Sequence, residues 1–264
     1  MSTIDIHTHA FPDGLAGRAI SRLEAECPWK AVGKGTVKSL LKSMDAADVD
    51  VSVVCTIATK VGQAEGILRW CREIQSDRID PLPSVHPDEP DVGTCLRRIA
   101  EEGFVGIKLH PMYQSFAIDE PRMDRLYAGA SEAGLFIQFH CGLDIAFPPE
   151  DDRASPIRTR NVIDRFPDLK TVCTHMGGWR AWDLVEKHLI GRNVLLETSF
   201  SAEELGPQRM TDMIRRHGPQ RVMFGTDWPW QRQDQARARI EQLGLDEKEL
   251  RGILWSNAAK LMGY

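Results

Sequence analysis

The 264-residue sequence has no C-x-x-C pair, no apolar run long enough to cross a bilayer and no excess of basic residues. Each absence removes a class of function. Six cysteines (27, 55, 71, 95, 141 and 173) without close pairing do not make a zinc ribbon or a dithiol redox motif, and read as buried thiols of a reducing compartment. A net charge of −5 leaves no electrostatic footprint for nucleic acid or an anionic membrane surface. The opening Met1-Ser-Thr-Ile-Asp5 lacks the basic and then apolar segments of a secretory signal, so a soluble cytoplasmic chain is expected. No internal repeat, low-complexity tract or linker marks a second domain, and residues 1–264 are expected to form one.

What is present is alternation. Short apolar runs at 3–9, 51–57, 81–86, 104–110, 135–141, 171–175, 194–199 and 222–227 have strand character. Helical patterns separate them, at 62–77, 91–102, 119–133, 156–166, 179–190, 202–217 and 232–243, with a last one at 247–261. An earlier helix is capped by Thr36 and places Val37, Leu40, Leu41 and Met44 on one face. Links of this length exclude hairpins and imply a parallel sheet. Eight such units in a chain close to the about 250 residues of a (β/α)8 barrel predict an α/β fold, a single TIM barrel. Residues 10–35, with Pro12, Gly14, Pro28, Gly33 and Gly35, read as an irregular insertion over its mouth.

Strand periodicity puts Thr3, Asp5, His7 and His9 on one face, with Ile4 and Ile6 on the other. Two imidazoles one pleat apart can hold two corners of a metal's coordination sphere, although a lone His-x-His is often only a polar terminus. His140, His175 and Asp227 close the fifth, sixth and eighth strand candidates. In a parallel barrel all strand C-termini open on the catalytic face, so these tips and the His-x-His are expected to meet at one point.

The constellation resembles the amidohydrolase superfamily, in the branch of single-domain barrels that includes the aminocarboxymuconate-semialdehyde and resorcylate decarboxylases. The pieces that carry the resemblance are Asp5-x-His7-x-His9, His140-Cys-Gly, His175-Met-Gly-Gly and Gly225-Thr-Asp-Trp-Pro. It implies that His7, His9, His140 and Asp227 ligate one divalent ion, zinc first and manganese second. It also implies that His175 contacts the water or the substrate. In related barrels a lysine on the fourth strand forms a carbamate between two metals. Lys108 stands on that strand but begins deeper than the ligands, so a single ion is expected over a pair bridged by Lys108.

Three histidines and a carboxylate leave an ion open to water, whose pKa falls toward neutrality. Asp227 is then the proton shuttle. The expected activity is hydrolysis of a small amide, lactone or ester. The alternative, with the same ligands, is non-oxidative decarboxylation of a small unsaturated or aromatic acid, set second because no arginine pair near the strand ends marks a carboxylate clamp. A metal-holding barrel without turnover has no need of Asp227 beside its ion. Lys108 and His110 share the inward face of the fourth strand and are candidate substrate-binding residues, with Lys108 equally placed to pair with Asp5 or Glu197 inside the barrel. Arg153, Arg158 and Arg160 either recognise an acidic substrate or solvate the helix after Pro156. Cys141 and Cys173 have no base set beside them and are not nucleophiles. The partner expected is a small molecule, with neither nucleic acid nor membrane, and a homodimer stays open.

Overall fold

Apolar runs of two to five residues form eight strands, β1 (Ile4–Thr8), β2 (Val51–Cys55), β3 (Ile79–Leu82), β4 (Gly106–Leu109), β5 (Phe136–Phe139), β6 (Thr171–Cys173), β7 (Leu195–Glu197) and β8 (Val222–Met223). The computed structural model describes all 264 residues, and each strand falls within or beside a run read from the sequence. The strands stop sooner than those runs, however. His140 and His175 lie just beyond β5 and β6, and Asp227 four residues beyond β8, rather than in them. His175 (φ 58°) and Asp227 (φ 60°) adopt left-handed backbone, which a ladder cannot continue.

The irregular insertion expected at 10–35 is a correction. It contains α1 (Asp13–Glu26). Pro12 precedes the first turn, where a missing N–H leaves no helical bond unmade, and Asp13 opens that turn against the positive end of the helix dipole. Only Ala16 of α1 is buried, so the helix carries almost no apolar periodicity, and its glycines read as breakers. The next helix, α2 (Val37–Ala47), is the one predicted. Thr36 Oγ1 accepts from the Ser39 amide at 3.2 Å, and Leu40, Met44 and Ala47 line the buried face.

The chain divides into two compact units. The first comprises Met1–Val54, Ile74–Asp80 and Glu197–Tyr264. Here β1 runs parallel to β2 with Ile4 opposite Val51 and Asp5 opposite Ser52, and one extra β1 residue accumulates before Thr8 meets Val54. Such a bulge re-aims the side chains it carries. On the other side of β1, the Ile6 amide donates to the Phe224 carbonyl at 2.9 Å and the His9 amide to that of Trp228 at 2.6 Å. The Thr198 amide reaches Met223. Ile4, Ile6, Leu40, Met44, Val53, Phe224 and Leu254 are fully buried. The helix expected at 247–261 is interrupted: a capping box between Asp246 and Glu249 opens Glu247–Arg251, a π-turn spans Gly252–Ser256, and Asn257–Met262 closes it.

The second unit comprises Cys55–Glu73 and Pro81–Leu196. Its strands are parallel and in step: Gly106 faces Phe136, Leu109 faces Phe139, Phe139 faces Cys173, and Cys173 faces Leu196. Because the register holds from strand to strand, the residues that follow Leu109, Phe139 and Cys173 emerge at one level. Those residues include His110, His140 and His175. All six cysteines of the chain are free thiols, and no helix is long and apolar enough to cross a membrane.

Candidate active site

In the first unit, β1 and the turn after β8 are laced together, and their side chains follow. The Asp227 amide donates to the His7 carbonyl at 2.7 Å. This bond turns the Asp227 carboxylate toward both histidines, with Oδ1 3.1 Å from His9 Nε2 and 3.4 Å from His7 Nε2. The two Nε2 atoms are 3.2 Å apart. His7 is 1% exposed while His9 and Asp227 keep 14%, so a ligand reaches the triad from the side of His9 and Asp227.

Glu197 fixes the tautomer of His7. Its Oε1 is 3.0 Å from His7 Nδ1, and a carboxylate accepts, so Nδ1 carries the hydrogen and Nε2 the lone pair. Ser199 holds Glu197 in turn, donating from Oγ to Oε1 and from its amide to Oε2, both at 2.7 Å. Asp5, on the same face of β1, is a brace and not a fourth donor of the triad. Its carboxylate accepts from the amides of His7 and Thr226 at 3.2 and 3.0 Å, from Thr226 Oγ1 at 2.5 Å and from Gln233 Nε2 at 2.8 Å. Burial outweighs these bonds and pushes its pKa up to about 7.

Three donor atoms 3.1 to 3.4 Å apart fit one divalent ion. Donors about 2.0–2.1 Å from a tetrahedral ion are about 3.3–3.4 Å from one another, and octahedral neighbours at about 2.1 Å are about 3.0 Å apart. The triad runs from just above the octahedral value to the tetrahedral one. Two neutral imidazoles and a carboxylate suit zinc, manganese or iron(II).

In the second unit, His110, His140 and Asp144 converge. The His110 and His140 rings stack at 4.2 Å, 10° from parallel, and Asp144 Oδ2 lies 3.2 Å from His110 Nε2 and 3.8 Å from His140 Nε2. Burial raises the Asp144 pKa, but the hydrogen bond and charge of His110, then the charge of His140, outweigh it and hold the group at about 2. Burial, and then neighbouring His110 and His175, lower His140 well below the usual histidine range, so it is a neutral imidazole. Its Nε2–H donates to the Leu143 carbonyl at 3.1 Å, which leaves the Nδ1 lone pair to face His175 Nε2 at 3.2 Å. His175 is 2% exposed, and Trp182 Nε1 donates to its carbonyl at 3.0 Å. Lys108 is fully buried.

Of the residues singled out by sequence, His7, His9 and Asp227 come together in one unit, and His110, His140 and His175 in the other. Arg153 is engaged by Asp151, Arg158 by Asp119 and Asp152, and Arg160 lies beside Asp164. His86, just past β3, is buried and accepts from the Asp88 amide. Two residues escaped the sequence reading: Glu197 as the partner of His7, and Asp144. A signal existed for Asp144, an acid four residues after a strand-end histidine in a glycine-containing loop.

Residues 4–264 match the amidohydrolase family model. The chain belongs to the amidohydrolase family. This amidohydrolase is 29% identical over 117 residues to a gamma-resorcylate decarboxylase of Polaromonas sp. (strain JS666), an alignment covering 38% of the chain and 36% of that relative. Its structure resembles an uncharacterised TIM-barrel protein of Bordetella bronchiseptica (TM-score 0.78, 16% identity, 100% and 99% of the two chains). It also resembles a 5-carboxyvanillate decarboxylase of Novosphingobium aromaticivorans, complexed with manganese and 4-hydroxy-3-methoxy-5-nitrobenzoic acid (TM-score 0.71, 15% identity, 99% and 96%). The fold is that of the TIM barrel, as the alternation of strands and helices predicts.

Proposed function

We propose that this amidohydrolase is a non-oxidative decarboxylase of a small aromatic or unsaturated carboxylic acid, its residues 1–264 forming one catalytic domain. The observation that carries the reading is the identity with a resorcylate decarboxylase. Hydrolysis, the first expectation from sequence, rested on the lack of a free arginine clamp. The arginines are indeed committed to acids, so in this reading recognition of the substrate carboxylate falls to Lys108 and His110, with Asp144 holding the His110 ring.

One divalent ion, zinc or manganese, is assigned to His7, His9 and Asp227. When bound, the ion supplies positive charge for the substrate carboxylate and an adjacent oxygen. Loss of CO2 breaks the bond between the carboxyl carbon and its neighbour, which keeps the electron pair and takes one proton. Asp227 delivers that proton and regains it from water. His175 orients the substrate.

The test is a panel of hydroxybenzoates and unsaturated acids beside lactones and amides, with the protein loaded with zinc or manganese. Metal-dependent CO2 release without hydrolysis is expected. Metal-dependent lactone or amide hydrolysis without CO2 release would restore the hydrolase. Elemental analysis after dialysis should give one ion per chain; two ions, one of them lost in Lys108→Met, would show the bridged pair.

A further inference from the structure

The segment between α1 and α2 is fastened to the exits of three strands. The Trp29 and Phe200 rings stack at 4.6 Å and 4°, and Phe200 follows Ser199, the residue that holds Glu197. The Val32 amide donates to the Pro229 carbonyl at 2.8 Å, and the Phe11 amide, two residues past His9, donates to that of Gly35 at 2.8 Å. Between these anchors Gly33 lies against the Trp228 indole. A Cβ on Gly33 would stand 2.3 Å from Cζ2, 2.9 Å from Cε2 and 3.2 Å from Cη2 of that ring.

Backbone conformation does not explain this glycine, since Gly33 is not among the positive-φ residues. Space does. Gly14 and Gly17 in α1 meet nothing within 4 Å, so a close approach is not general to the glycines that precede α2. The residue it covers is decisive for the triad: Trp228 is 1% exposed, its carbonyl accepts from His9 and its amide donates to Thr226 Oγ1 at 3.2 Å. Its neighbour Asp227 (φ 60°) sits in left-handed backbone, which an L-residue adopts only at a steric cost. A strained ligand stays in place only where its surroundings hold it.

We infer that Gly33 is a positioning residue for the metal centre: lacking a Cβ, it lets its segment lie flat on Trp228 and clamp the turn that presents Asp227 to His7 and His9. This rests on the assignment of that triad as the metal site.

The experiment measures divalent-metal affinity by competition with a chromophoric chelator, with circular dichroism as a check on folding. Wild type, Gly33→Ala, Gly17→Ala and the double variant Gly33→Ala/Trp228→Phe are compared. Phenylalanine has a single ring and reaches neither Cζ2, which the new methyl meets most closely, nor Cη2. We expect Gly33→Ala to weaken metal binding by about tenfold or more, Gly17→Ala to match wild type, and the double variant to recover most of the loss. If Gly33→Ala fails to fold while the double variant folds and binds metal, the inference also stands. Wild-type affinity in Gly33→Ala, or a loss that Trp228→Phe does not repair, overturns it while leaving the metal assignment intact. A wild-type chain that binds no ion overturns both.

Discussion

His7 Nδ1 lies 3.0 Å from the Glu197 carboxylate, and this contact decides that Nε2 of His7 is the nitrogen turned toward Asp227. A buried carboxylate behind a histidine raises the basicity of the other ring nitrogen and locks the ring against rotation. The pair therefore ties the end of β7 to the ligands of β1.

Glu197→Gln should weaken divalent-metal affinity by about 10- to 100-fold without changing the fold. An amide can keep the contact but not the charge. Chelator competition reads the affinity, and an unchanged value would remove Glu197 from the support of the site.

Gly225 packs against the same carboxylate. A Cβ there would come within 2.1 Å of Glu197 Oε2 and 3.2 Å of His7 Cβ. Gly225→Ala should cost about 1–3 kcal/mol of stability, in the range of an overpacked core, and lower metal occupancy as well. Denaturant unfolding and elemental analysis together check both effects.

In the proposed mechanism, Asp227→Asn removes a ligand charge and the proton carrier at a turn outside the packed core. Turnover should fall by about a hundredfold or more, with the circular dichroism spectrum preserved. A variant that keeps more than about a tenth of the wild-type rate would not be missing its proton donor.

Asp5 makes stability depend on pH. Its pKa is about 7 in the folded chain against an ordinary 3.8, because burial disfavours the anion. The folded protein thus binds a proton more tightly than the unfolded one. The contribution is fully present below about pH 4 and is lost as pH rises through about 7. At about 1.4 kcal/mol per pK unit, the metal-free protein should lose on the order of a few kcal/mol between acidic and mildly alkaline conditions. Asp5→Asn should flatten that slope. Equal slopes in urea titrations of the two proteins would assign the pH dependence elsewhere.

The order of strands and helices is legible in the residues alone, since periodicity is a local property of each segment. Parallel strands deliver their ends to one level, and the expectation that His7, His9 and Asp227 meet there agrees with their separations of 3.1 to 3.4 Å. The helix α1 was hidden by its want of an apolar face, and the early ends of β6 and β8 by turns whose left-handed residues, His175 and Asp227, are not glycines. Only the tertiary structure decided what supports the site. Glu197 meets His7 across 190 residues, Thr226 meets Asp5 across 221, and Gly33 meets Trp228 through the absence of a side chain. Such pairings depend on register and on the close packing of distant segments, and neither leaves a pattern in the residues nearby.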